Sequence, residues 1–515
     1  MEPRAVSTGR GGGRIAYQAL YAAVVAVCIV PLWAADTLAI QDLPQHLAAI
    51  RVLHSYSDAA YGFAEYFTLD LFRTQYLAYY LVADLLAYPL GVELGNRVLL
   101  SACLIGTPYA MRAVLRETDS NEELSLFTLP LLYNAHLILG FLNFLAAIPL
   151  CLLALAMTLR DRRSPSLRGA FGIAVVLGVA FYTHVIPFAF AALGVALVHA
   201  RLPLRAFVRG VAPIAPSLVA AGAWMWLSPA GQASVGAVSG QRSHATAAVF
   251  RPIAQAWASL PMWMTDVLHS DVDDALFWRF SWLLLTALLL GLGLRWTGVV
   301  SQARYPTRLV LLPVAAAIGY FALPESYDWI WPIAPRFPIL CALLTIVVVP
   351  RLPTLLASTL VAAAVMLALT QTYAMTKAFV AFDRDEVAEL DAALDSIPPA
   401  QRVAGLIFDR SSRQVKFSPF IHAAAYYQVR KGGAVMFSFT DFPQSPFSFR
   451  ETNRPPRVGP RWEWMPEKVQ PVRDLAWYDY VLVRGGPGRI ATSQPNYTPT
   501  FRGPHWSVWQ RLPVR

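Results

Sequence analysis

Directly downstream of the first long apolar run, the segment Gln41-Asp42-Leu-Pro-Gln-His46 sets a carboxylate four residues ahead of an imidazole. A carboxylate at a helix start can take a proton from an incoming hydroxyl or help hold a divalent cation, and a His one turn on would sit above it. Asp42 is therefore the first residue from which to expect chemistry, with His46 beside the substrate. The spacing also has a plainer reading. Asp, then Pro in the first turn, then Gln three residues on is a helix-start signature, and a carboxylate that caps a helix needs no other role. The two readings are compatible, because a capping Asp can still act as a base.

Further polar groups stand in apolar surroundings, where the cost of unpaired burial directs a side chain toward the protein interior or a wet cavity. These are Asp84, the trio Asn134, His136 and Asn143, and His184. Asn134, His136, Asn143 and His184 are expected to bind substrate. Arg336, in Pro335-Arg-Phe-Pro338, opens a late apolar run, and a fixed guanidinium there can clamp a lipid-linked phosphate through paired hydrogen bonds. Glu325 and Asp328 offer the alternative that Arg336 is simply neutralised, while Trp329 and Trp331 suit the aromatic belt of a membrane interface. The carboxylates Asp271, Asp273 and Asp274 lack the Gly and terminal Glu of a calcium loop and read as a solvated acidic turn.

What must position these groups is a set of membrane helices. Of 515 residues 56% are hydrophobic and only 14% charged, and mean hydropathy is +0.45, the profile of a chain surrounded mostly by lipid. A hydrocarbon core of about 30 Å takes about 20 apolar residues per helix. Runs that meet or approach this lie at 15–34, 75–90, 96–115, 124–159, 169–183, 185–200, 210–227, 277–294, 309–323, 338–349 and 352–375, which predicts about 11 to 13 spans. The first run exceeds the apolar core of a signal peptide, so despite the small residues Ala34 and Ala35 it is expected to remain as an anchor. Loops rich in Lys and Arg mark the cytoplasmic side. Placing the N-terminus, 160–163, 201–209, 295–308 and Arg351 there puts the C-terminal tail outside. Asp119, Glu122 and Glu123 then form a solvated turn in an outer loop. The run 124–159 is long enough for two spans, yet two would reverse the sidedness of all that follows. Its polar interruption from Asn134 to Asn143 points to one broken helix or a re-entrant half-helix plus a span.

After Met375 the chain changes character. The stretch 383–394 carries Val387, Leu390 and Leu394 at helical spacing behind an Asp383/Glu386 capping pattern, and β-rich runs follow at 402–408, 434–439, 480–483 and 506–512. The expectation is a polytopic α-helical membrane module over 1–375 and a soluble α/β domain over 376–515. The four cysteines, Cys28, Cys103, Cys151 and Cys341, lie in apolar runs without metal-ligand spacing, so neither a disulfide nor zinc is expected.

No glycine loop of the P-loop or Rossmann type occurs, and a sugar transferase acting outside the cytoplasm draws on a lipid-phosphate donor rather than a nucleotide sugar. The chain carries Asp42-Leu-Pro-Gln-His46 after the first span, Asn96-Arg97 opening a span, Tyr133-Asn-Ala-His136 to Gly140-Phe-Leu-Asn143-Phe, Pro335-Arg-Phe-Pro338 near a late span, and a soluble C-terminal domain. On these it resembles the GT-C superfamily of integral membrane glycosyltransferases, in the bacterial branch similar to lipid A aminoarabinose transferases and protein mannosyltransferases. The resemblance implies a bacterial inner-membrane protein with a periplasmic tail. It implies transfer of a sugar from a polyprenyl-phosphate-linked donor to a lipid or glycan acceptor, with membrane lipids and no nucleic acid as partners. Asp42 is implied as base or metal partner, a divalent cation being the one cofactor left open, and Arg336 with His136 would hold the donor phosphate. Two other readings stay open: a transporter or flippase of lipid-linked glycans with Asp84 and His136 on its path, and a non-catalytic scaffold of envelope polysaccharide assembly. A transporter is expected to show internal repeats, which are not evident in the sequence.

Overall fold

The computed structural model describes residues 9–512 except 201, 229–230, 233–247, 328–329, 443–444, 457–462 and 487–495. Among the residues singled out above, Asp328 and Trp329 lie outside the described residues. The chain is a polytopic helical membrane protein with a strand-containing C-terminal domain. Among the described residues, five helices of 18 or more residues are apolar enough to cross a bilayer, namely Val92–Glu117, Leu142–Arg163, Leu204–Leu227, Asp271–Trp296 and Thr354–Val387, and six further apolar helices are shorter. The helices that matter for the site are α1 (Gly9–Val27), α2 (Leu43–His54), α3 (Leu77–Leu90), α4 (Val92–Glu117), α5 (Ala135–Leu139), α6 (Leu142–Arg163), α7 (Leu167–Thr183), α8 (Val185–His199), α9 (Ala215–Leu227), α10 (Phe337–Val347) and α11 (Thr354–Phe382). Apolar on all sides, α6 is the centre of the bundle and packs on α4, α7 and α8.

The two ends of the bundle differ. At one end the turns after α4 and before α11 meet the basic loops: Arg163 pairs with Glu117, Arg304 Nη1 lies 3.5 Å from Asp119, and Gln302 donates to the Thr118 carbonyl. The tail docks on the other end. The turn of Asp119 and Glu122 therefore sits among arginines, with Glu122 held by Arg112 and Arg116, and not in a loop on the tail side as the run count implied.

Two elements correct that count. Helix α3 starts beside Tyr76, which stacks on His184, and Gly91 (φ +78°) turns the chain straight into α4, whose Glu93 pairs with Arg430 of the tail at 3.3 Å. Both ends of α3 thus lie at the tail end, and at 14 residues it is too short to run the length of the bundle. The stretch before α6 makes up the difference. A 3-10 helix, Glu122–Leu131, leaves the arginine-rich end and continues through α5, whose last carbonyls reach the backbone of Gln41 and Asp42 at the tail end. The segment expected as one broken helix therefore contains a full passage in 3-10 and α turns, followed by α6 as a second. One passage fewer at 77–90 and one more at 122–139 leave the alternation of the basic loops intact.

The tail begins without a break, since α11 runs seven residues beyond the boundary expected at Met375, to Phe382. The helix expected over 383–394 is interrupted. Asp383 spends its carboxylate on the amides of Asp36 and Thr37, Glu386 accepts from the Arg413 amide, and Glu389 turns to φ +64° before a short helix, Leu390–Asp395. Five strands form one sheet in the order β3-β2-β5-β7-β6, with β2 (Arg402–Ile407), β3 (Ala434–Val435), β5 (Tyr480–Arg484), β6 (Tyr497–Arg502) and β7 (Trp506–Arg511). Strands β2, β3 and β5 are parallel to one another, and β7 runs antiparallel to β5 and β6. The period of two is visible in the packing: Val403, Ile407, Tyr480, Leu482, Trp506 and Val508 join the main core, while Ala404, Leu406, Val481, Val483 and Trp509 build a second core on the other face. Strand β3 stops at Val435, short of the expected 434–439. The Phe437 carbonyl accepts from Gln45 and the Phe439 amide donates to it, so this backbone is committed to α2 rather than to the sheet. A further two-stranded sheet joins β1 (Phe67–Leu69), from the loop after α2, to β4 (Phe447–Phe449) of the tail.

Cysteines introduced singly at Glu93, Val472 and Arg162 in a variant lacking the four native thiols test the arrangement of α3. Glu93→Cys and Val472→Cys should react with an impermeant maleimide from the same side of sealed vesicles and Arg162→Cys from the other. Labelling of Glu93→Cys together with Arg162→Cys would restore a crossing helix at 77–90.

Candidate active site

Asp42 precedes the first turn of α2, yet its side chain makes no capping hydrogen bond. The first-turn amides do not need it: Leu43 N–H donates to the Ile40 carbonyl, Pro44 has no N–H, and Gln45 and His46 donate to the Asp42 carbonyl. The expected cap is thus a backbone cap, and the carboxylate is released from that duty. What fixes Asp42 is the end of α5. The Gln41 and Asp42 amides donate to the Ile138 and Leu139 carbonyls at 2.8 and 3.1 Å, groups that a helix end leaves without intrahelical partners. Gly140 closes α5 at φ +88°, and a Cβ there would stand 2.9 Å from both the Asp42 amide nitrogen and its Cβ. No other residue fits at that position.

Around Asp42 lies a cavity of about 350 Å³, within the range of small-ligand pockets. Five of the seven expected site residues line it: Asp42, His46, Asn143, His184 and Arg336. On α2, His46 is one turn from Asp42, and its Nδ1 meets the Tyr80 hydroxyl at 2.8 Å. Burial depresses its pKa to about 4 against the pull of Asp42, so the ring is neutral at physiological pH. Asn143, at the start of α6, keeps an unpartnered buried amide oxygen. His184 accepts from the Ile186 amide at the start of α8 and stacks on Tyr76 at 5.2 Å.

The tail supplies the remaining wall through Phe437, Phe439, Phe442, Glu463 and Trp464, and with them His422. His422 Nε2 lies 3.3 Å from Asp42 Oδ1, and its Nδ1 3.9 Å from Glu463. Burial alone would lower the pKa of this ring, but the contact with Asp42 and the charges of both carboxylates outweigh it and raise the value. Gln41 ties the same corner together, donating to Asp42 Oδ1 at 3.3 Å while accepting from the Ser418 amide of the tail. Sequence reasoning missed His422. A single His in the apolar stretch 417–429 carries no local pattern, and only the fold brings it to Asp42.

Arg336 occupies another part of the same cavity. It is 9% exposed, its Nε has no partner, and its guanidinium stands 5.1 Å over the Phe141 ring. Glu325, offered by the sequence as its counter-ion, is engaged by Arg251 instead, and among the described residues no carboxylate pairs with Arg336. Asn134 and His136 stand elsewhere. Asn134 caps α5, its amide oxygen accepting from His136 and Leu137 and its amide group donating to the Leu131 carbonyl, so it is spent on the backbone and does not line the cavity. His136 is fully buried behind the cavity wall, stacked on Trp263 and packed against Phe141 and Phe144. Asp84, also expected to face the interior, pairs with His54 at 2.9 Å.

Around Asp42 the described residues do not bring three metal-ligand atoms within mutual reach. The group that does is Asp266, Asp273 and Asp274, where the sequence suggested a solvated turn. The structure shows a more ordered cluster. Asp273 is buried and accepts from the Val267 and Leu268 amides, and the Lys416 ammonium pairs with Asp266 and lies 3.6 Å from Asp274.

Compared with known proteins, no family model and no curated protein matches the chain. Solved structures do. ArnT from Cupriavidus metallidurans in the apo state aligns with a TM-score of 0.57 at 12% identity, over 96% of this chain and 98% of that one. The same protein bound to undecaprenyl phosphate aligns with a TM-score of 0.59 at 12% identity, over 97% and 98%. The chain shares its fold with ArnT. Near-complete coverage of both chains means that helices and tail together share the architecture of that structure.

Because Gly140 combines a left-handed φ with direct backbone contact to Asp42, Gly140→Ala should cost at least about 1–2 kcal/mol from the φ alone, before the clash is counted. Thermal unfolding in detergent should show a clear drop in Tm. Gly178→Ala, a helical position with nothing within 4 Å of the added Cβ, should be neutral or slightly stabilising. Equal behaviour of the two variants would remove Gly140 from its role in placing Asp42.

Proposed function

We propose that this protein is a membrane glycosyltransferase that moves a sugar from a polyprenyl-phosphate-linked donor to a hydroxyl of a lipid or glycan acceptor. The observation that carries this is the pairing, in one buried cavity, of a carboxylate released from helix capping with an arginine that has no carboxylate partner among the described residues. A buried guanidinium without a counter-ion is costly unless an anion arrives with the ligand. The sharing of its fold with a protein captured with undecaprenyl phosphate supports a lipid phosphate as that anion.

In this reading the donor phosphate lies against Arg336, flanked by His184 and Asn143, with its chain leaving the cavity past Trp331. The acceptor enters under the aromatic wall of the tail. Its oxygen attacks the anomeric carbon while the bond from that carbon to the phosphate oxygen breaks, in a single displacement. Asp42 takes the acceptor proton, and Arg336 stabilises the charge gathering on the departing polyprenyl phosphate. The basic loops at the far end of the bundle favour a cytoplasmic side for that end and, with it, a periplasmic side for the cavity and tail.

Asp42→Asn and Arg336→Met test the two halves. With the helix cap made by backbone, Asp42→Asn should fold normally and lose a factor of about 10²–10⁴ in transfer, measured with purified protein and a panel of radiolabelled polyprenyl-phosphate sugars. Arg336→Met removes an uncompensated buried charge, so it should hold or raise Tm while the KM for the lipid donor rises steeply. Full activity of Asp42→Asn would reject Asp42 as the base. An arginine that only supports the fold would instead show a lower Tm with KM unchanged.

A further inference from the structure

We infer that His422 of the tail is the positioning residue for Asp42: it holds one carboxylate oxygen, with Glu463 behind it, so that the tail completes the proton-accepting site. The inference rests on the transfer reading above and assigns the tail a part in it.

Geometry carries the argument. His422 Nε2 and Gln41 Nε2 both approach Oδ1 of Asp42, each at 3.3 Å. Among the described residues, Oδ2 takes no hydrogen bond from the protein, and the residue lines the cavity. One oxygen is therefore held and the other offered. The ring cannot turn away, because it stacks on Phe437 at 5.1 Å and 10° and meets the edge of Phe439 at 5.8 Å. Phe437 and Phe439 are in turn fixed to α2 through Gln45, one turn beyond Asp42 on the same helix. The titratable groups facing His422 are Asp42 across Nε2, Glu463 across Nδ1, and His46, whose own charging is opposed by burial and by His422.

Two carboxylates and one tightly held imidazole favour a protonated ring between two anions. The second His beside Asp42 stays neutral, so the pair of imidazoles is pushed apart in charge. The ring against Oδ1 fixes the direction of the carboxylate before reaction. During reaction the acceptor O–H proton passes to Oδ2 as the new bond to the anomeric carbon forms and the phosphate leaves, and it is released to water once product departs. His422 touches neither substrate nor reacting carbon. It sets where Asp42 points.

The test needs a readout that does not depend on transfer. In wild-type protein carrying ¹³C-labelled histidine in lipid nanodiscs, the His422 resonance is identified by its loss in His422→Gln, and its titration is followed by NMR. It should titrate above the ordinary histidine value, and fall by about one pH unit or more in Asp42→Asn, with a smaller fall in Glu463→Gln. An unchanged titration in Asp42→Asn overturns the inference. In the transfer assay His422→Gln should lower kcat with the donor KM unchanged. Coupling by NMR with kcat unchanged in His422→Gln also overturns it. Wild-type protein that shows the coupling but transfers no sugar from any lipid-phosphate donor counts against the transfer reading and leaves the pairing of tail and Asp42 in place.

Discussion

The contact on which this site depends is a backbone one. Two amides, Gln41 and Asp42, bond to the last carbonyls of a five-residue helix, with Gly140 leaving room for the approach. A continuous helix would not offer those carbonyls, since each would already be bonded to an amide one turn on. The passage from Glu122 to Leu139 is therefore irregular for a reason that can be stated. Its 3-10 turns and its early end at Gly140 present free acceptors at the depth where the loop that carries Asp42 is held. Irregular backbone is tolerated inside a membrane protein only where protein or a cavity surrounds it, and this one is walled by Trp263, Phe141 and Phe144 around His136.

The same economy explains why the tail is not an appendage. Its sheet buries one face on the helices and the other in a small core of its own, so the near-continuous apolar character of β2 and β5 is required on both sides. Where the sheet stops, at Val435, the next backbone groups turn to Gln45 on α2. Arg51 of α2 likewise donates to the Val429 carbonyl, and β1 pairs with β4. A domain fixed by side-chain bonds from the helix that follows Asp42, and by a strand pairing just beyond it, can hold an aromatic wall and a histidine in the cavity.

Much of this was legible in the sequence, for physical reasons that differ by element. The long apolar runs gave the spans because lipid imposes length and composition together. Asp42 stood out because its type and its place after the first span are both local facts. The misplaced passage at 77–90 was also a matter of length: its helix is 14 residues, short of what a bilayer needs, and Gly91 marks the turn. Its partner error, at 122–139, followed from it: with 77–90 counted as a crossing, a second passage in 124–159 would reverse the sidedness of the later basic loops. Asn134 and His136 were picked correctly as interior groups. Their roles were not legible, because one cap hydrogen bond or one layer of aromatic rings separates a cavity wall from what lies behind it. His422 was invisible for a simpler reason, that nothing local distinguishes a histidine destined to meet a carboxylate from one that fills a core.

Charge then orders what the cavity can hold. Arg336 brings a cation without a carboxylate among the described residues, while Asp42 is already answered by His422 and Gln41 on one of its two oxygens. An anionic ligand group is therefore drawn to the Arg336 side and repelled from the Asp42 side, whereas a neutral hydroxyl suits the free oxygen of Asp42. The separation acts on orientation, because a ligand that carries both an anionic group and a neutral hydroxyl can enter in only one direction. An Asp42 paired on both oxygens would offer no free acceptor, and an Arg336 paired with Glu325 would draw no anion. The diversion of Glu325 to Arg251 and the confinement of His422 to a single oxygen are thus two sides of one constraint, that the cavity remain electrostatically incomplete until its substrates complete it.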